Sequence, residues 1–154
     1  MVLLLLVAGC AMRVPQEAAS EPPPLFDVRV LEESVWVDFM PGAKHRAYAM
    51  VRINIVNVTD STVILTNAFG ALSDTLGRNP FRRFNCEMMQ DDKSLKSIEL
   101  MPGLTHELTL KTPVGIEPFD INRYPQVIFS IGLRTKTKRE YIFDTLPIDV
   151  LKTQ

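Results

Sequence analysis

The chain has 154 residues, 46% of them apolar, and a formal net charge of −1 from 17 basic and 18 acidic side chains. That length suits one domain. The near-neutral balance provides no field to attract DNA or RNA, which argues against nucleic-acid binding.

Val2 to Val7 form an apolar run far shorter than the roughly 20 residues needed to span a bilayer. Two small residues, Ala8 and Gly9, follow it, and then Cys10. Val7-Ala8-Gly9-Cys10 resembles the lipobox of bacterial lipoproteins. The resemblance implies cleavage after Gly9, lipid on the Cys10 sulfur, and attachment to a membrane through that lipid. It also implies a cell-envelope location. Because Ala11 rather than Asp follows the cysteine, it implies the outer membrane, facing the periplasm, in a Gram-negative cell. No Lys or Arg precedes the apolar run, as expected where the true start codon lies upstream of Met1. Residues 11–24 are poor in aromatics and end in Pro22-Pro23-Pro24, a composition expected to form an extended tether. At about 3.1 Å per residue it would lift the following domain about 40 Å from the bilayer. The expected organisation is a signal segment over 1–9, the lipidated cysteine and tether over 10–24, and a globular domain over 25–154.

From Leu25 onward the dominant period is two, that of strands. Phe26-Asp27-Val28-Arg29-Val30 alternates, and so does Val35-Trp36-Val37-Asp38-Phe39. Tyr48 to Val58 reads as a long central strand with Ala49, Val51, Ile53 and Ile55 on one face. Turn formers over 57–61, followed by β-branched Thr62 to Thr66, predict a hairpin between these two runs. Phe81 to Gln90 places Phe84, Cys86 and Met88 inward, and Ser97 to Met101 stops at the turn Pro102-Gly103. Leu104 to Thr112 then offers Leu104, Leu108 and Leu110 to the core, while Glu117 to Arg123 supports one helical turn at most. Val127, Phe129, Ile131 and Leu133 make an apolar stripe, and 135–138 turn the chain back into Tyr141-Ile142-Phe143.

Many short strands with regularly spaced turns predict an all-β fold. The expected architecture is an antiparallel β-sandwich of immunoglobulin-like type, with a small closed β-barrel as the alternative. Val51, Ile53, Ile55, Phe129 and Ile131 are expected to pack together, with Trp36 against them.

Groups able to carry catalysis are few. His45 lies beside Pro41-Gly42 and His106 near a strand start, and neither has metal-ligand spacing to another His or Cys. Asp91-Asp92 lacks the ligand series of a calcium loop and reads as a solvated turn. Nucleophile elbows and phosphate-cradling glycine loops are missing. The expectation is therefore a non-enzymatic protein with no cofactor and no metal. Its alternative is an envelope enzyme or metal-dependent module assembled around His45 and His106. With Cys10 assigned to lipid, Cys86 has no disulfide partner and reads as a buried structural thiol. Asn57-Val58-Thr59 matches a glycosylation sequon, but Asn57 is better explained as a turn residue.

Two basic clusters remain. Arg134, Lys136, Lys138 and Arg139 surround a hairpin tip, where charge discourages edge pairing. Arg78, Arg82 and Arg83 mix with Phe81 and Phe84, the composition enriched at binding hot spots. Arg78, Phe81, Arg82 and Arg83 are thus the candidate binding residues, the arginines being suited to carboxylates and phosphates. The expected function is a lipid-anchored cell-envelope protein with a binding or assembly role. Its expected partner is an envelope protein or an anionic envelope polymer. A purely structural envelope role is the further alternative.

Overall fold

The computed structural model describes residues 23–39, 44–76 and 80–153. The lipobox Val7–Cys10, the first part of the expected tether and Arg78 lie outside the described residues. The strands are β1 (Phe26–Asp38), β2 (Arg46–Asn57), β3 (Val63–Ser73), β4 (Pro80–Gln90), β5 (Lys93–Leu95), β6 (Ile98–Leu100), β7 (Thr105–Lys111), β8 (Gln126–Thr135), β9 (Glu140–Asp144) and β10 (Ile148–Thr153).

The pairing order β4-β7-β2-β1-β10-β8-β3 closes on itself because β3 also pairs with β4. The fold is all-β, and of the two expected architectures the closed barrel is the one observed. Closure rests on β4. Its first half, Pro80 to Cys86, pairs with β3, and Glu87 to Met89 pair with β7, so one strand joins what a sandwich would keep as separate sheets. Every ladder is antiparallel except β1–β10, which runs parallel from Val35↔Val150 to Asp38↔Thr153.

Strand alternation becomes inside and outside of the barrel. In β2 the alternate residues Ala47, Ala49, Val51, Ile53, Ile55 and Asn57 are fully buried. They meet Leu108 and Leu110 of β7 and Phe129, Ile131 and Leu133 of β8 in one core. Each such large apolar side chain contributes about 1.5–3 kcal/mol on burial.

The two alternating runs near the start are one strand with a bulge. Val30 pairs with Ile53 and Glu32 with Arg52, which leaves Leu31 as the extra residue. Parity flips there: Phe26 faces inward before it, Val35 and Val37 after it. Trp36 consequently points outward and stacks on Tyr48, ring centroids 5.2 Å apart at 15°. Trp36 is more than half buried, but against Tyr48 on the outer face rather than against the expected Val51, Ile53 and Ile55.

The expected β2–β3 hairpin is also corrected. β2 pairs with β1 and β7, whereas β3 pairs with β4, β6 and β8. Between them the chain turns a corner across the barrel end, held by the buried Asn57. Its Nδ2 donates to the carbonyls of Ser61 at 2.7 Å and Leu100 at 2.8 Å. Its Oδ1 accepts from the Thr59 amide at 3.0 Å and the Thr59 hydroxyl at 2.7 Å. The sequon nitrogen is therefore committed inside the fold.

Leu104 lies before β7 and is 49% exposed, so it is not a core residue. The inward position expected of that run belongs to His106, opposite Ile55. Asp91 and Asp92, at φ 49° and 60°, form the two-residue β4–β5 turn. Positive φ at both central positions is what a type I′ hairpin requires. At the other end of the barrel, Asp120 anchors one turn through the amides of Arg123 and Tyr124, and no helix follows.

Candidate functional site

The outer wall made by β4, β3, β8 and β9 carries an open groove of about 620 Å³. Strand register places its residues in two cross-strand rows. Asn85, Phe69, Gly132 and Ile142 form the first; Arg83, Ala71, Ser130 and Asp144 form the second. The middle of the second row is small, at Ala71 and Ser130, while in the first row the space over Gly132 is taken by the Phe69 ring.

Gly132 has a specific reason. A Cβ there would come within 2.0 Å of the Phe69 ring, so the ring lies directly over this glycine. Inside the barrel, Gly70 does the same for the rings of Phe84 and Phe129, which a Cβ would meet at 2.5 and 2.6 Å. A glycine within a strand marks close approach of a neighbouring group. On the outer face that approach produces a flat apolar floor, with Ile142, 61% exposed, at its β9 edge.

Among the residues lining the groove Arg83 alone is charged. It is exposed and has no partner among the described residues, with Asn85 two positions along on the same face. Arg134 lies 5.8 Å from the Phe69 ring centroid and is ion-paired to Glu140.

The candidate binding segment therefore divides. Phe81 stacks on Tyr124 at 4.1 Å and meets Phe119 edge-on at 5.0 Å, closing one end of the barrel. Arg82 donates to the carbonyls of Phe81 at 2.9 Å, Glu117 at 3.1 Å and Pro118 at 2.9 Å, and lies 3.6 Å from the Glu117 carboxylate. Phe81 and Arg82 thus have partners within the fold. Arg83 does reach a concave surface. The partners missed from the sequence, notably Phe69, Ala71, Ser130 and Ile142, come from three other strands. Their one sequence signal is glycine within otherwise apolar strands.

The two histidines do not share a site. His45 sits just before β2, its Nδ1 3.2 Å from the Asp38 carbonyl and its ring against Phe39. His106 faces Ile55 near the other end of the same strand. Ten residues of strand put them about 30 Å apart. Among the described residues no group of three or more His, Cys, Asp or Glu could hold a metal. Cys86 is buried, and desolvation pushes its thiol up from 9.0 to about 12. A neutral thiol in that setting is inert.

No known protein family matches this chain, and no curated protein does. Solved structures that resemble it include the apo PCuAC domain of PmoF2, at 13% identity and TM-score 0.42 over 82% of this chain and 91% of that one. The sporulation control protein Spo0M of Bacillus subtilis matches at 11% identity and TM-score 0.41, over 82% of this chain and 48% of that one. A FixG-related protein of Vibrio parahaemolyticus matches at 11% and 0.41, over 83% and 98%. None of these likenesses carries a ligand or an activity to this chain.

Proposed function

We propose that this protein is a lipid-anchored component of the cell envelope with a non-catalytic binding or assembly role, and that the groove over Phe69 and Gly132 is its binding face. The observation that carries the reading is the groove itself. Elsewhere the outer wall bears charged cross-strand pairs such as Arg52 with Glu32, whereas this face exposes an apolar floor beside one arginine without a partner among the described residues. Concave, mostly apolar surfaces with few placed polar groups are the usual form of binding sites. The resemblance of Val7-Ala8-Gly9-Cys10 to a lipobox supplies the anchor.

Two measurements test the reading. Radiolabelled palmitate should enter the wild-type protein, and Cys10→Ser should abolish labelling and release the protein to the soluble fraction. In cross-linked envelopes, species joined to the wild type should be lost from Ala71→Phe, which fills the groove from an outward position. Labelling that fails removes the anchor; cross-linking unaffected by Ala71→Phe removes the binding face.

A further inference from the structure

The geometry points to a single-chain amphiphile with one anionic head, a free fatty acid, as the ligand of this groove, its carboxylate at Arg83 and its hydrocarbon crossing the Phe69 ring toward Ile142. This inference rests on the reading of the groove as the binding face and names the chemistry it selects.

Polarity along the rows sets the orientation. The first row runs from Asn85 on β4 through Phe69 and Gly132 to Ile142 on β9, and only its first member is polar. Three strand spacings make that path about 14 Å long. Arg83 stands beside Asn85 at the β4 end, so the one cation lining the groove and a side-chain amide donor lie at the same end of the floor. Asp144 lies across from Ser130 at the β9 end and is exposed, which disfavours an anion there. Arg82 and Arg134 are already paired. Arg83 is the cation on this wall left to meet an anion among the described residues, and a guanidinium binds a carboxylate through two parallel hydrogen bonds.

The same floor discriminates against a peptide. β3 is paired on both sides by β4 and β8, and β8 by β3 and β9, so their backbone groups are committed to ladders. A peptide laid across Phe69 and Gly132 would find no backbone donor or acceptor on β3 or β8 for its own amides, and buried amides left unpaired are costly. A hydrocarbon chain has no such requirement.

The test is calorimetric titration of the full-length Cys10→Ser chain, in detergent-free buffer, with decanoate below its micelle concentration. Saturable binding of one decanoate is expected, weakened at least tenfold by Arg83→Gln and abolished by Ala71→Phe. Decyltrimethylammonium, with the same chain and a cationic head, should not saturate the site. Unchanged melting curves for both variants show that the fold is intact, as Arg83 is exposed and both changes point outward. The inference is overturned if decanoate does not saturate, if Arg83→Gln binds it within twofold of wild type, or if the cationic amphiphile binds as well. Absent decanoate binding together with loss of envelope cross-links in Ala71→Phe would reject the fatty acid and leave the binding face standing. Decanoate binding with cross-links unaffected would keep the groove as the fatty-acid site and remove the cross-linked species as its occupants.

Discussion

Asn57 and Leu100 are joined by a 2.8 Å hydrogen bond from the Asn57 amide to the Leu100 carbonyl, inside the barrel end. This bond ties the end of β2 to β6, a strand whose one ladder among the described residues is with β3. It stands where sequence alone places a hairpin turn.

Removing that amide should be costly. Asn57→Ala takes this donor from the buried Leu100 carbonyl, and an orphaned buried acceptor costs about 1–3 kcal/mol. Asn57→Asp should cost more, because it aims an acceptor at two acceptors. Urea melts measure both; an Asp variant as stable as wild type would show that the corner does not depend on the donor.

The neighbouring arginines should behave oppositely. Arg82→Ser abandons three carbonyls and should lower stability by about 1–3 kcal/mol. Arg83→Ser, which touches nothing inside the fold, should stay within about 0.5 kcal/mol of wild type. A denaturant titration of the two single variants separates these roles.

Core and outer face should differ too. Ile53 is fully buried, so Ile53→Ala should cost about 2–5 kcal/mol. Trp36 and Tyr48 stack outside the barrel, and a double-mutant cycle to alanine should return a coupling of about 0.5–1.5 kcal/mol. Zero coupling would mean the stack contributes only burial.

Cys86 sets an alkaline limit. Its thiol sits at about 12 when folded against 9.0 in the unfolded chain, so the folded state holds its proton more tightly. The stability this represents is fully present below pH 9 and is lost as pH rises from 9 toward 12, at up to about 1.4 kcal/mol per pH unit. Cys86→Ala should remove that slope in melts recorded across this range. In the Cys10→Ser chain, iodoacetamide at pH 8 should label Cys86 only after denaturant is added.

Period two in the sequence determined which residues face inward wherever the strand runs without interruption. Ala49, Val51, Ile53 and Ile55 in β2, and Phe129, Ile131 and Leu133 in β8, are legible because successive side chains must alternate across a strand. The turns at Asp91-Asp92 and Pro102-Gly103 were legible for a similar local reason: they need particular backbone angles. Local pattern carries no information about which strand lies beside which. Only the tertiary structure decided that β3 leaves β2, that β4 joins two walls and closes the barrel, and that Leu31 bulges and turns Trp36 outward. The groove is of that second kind. Arg83, Phe69, Gly132 and Ile142 lie on four strands, and it is the cross-strand register, a property of pairing rather than of any one segment, that sets them side by side.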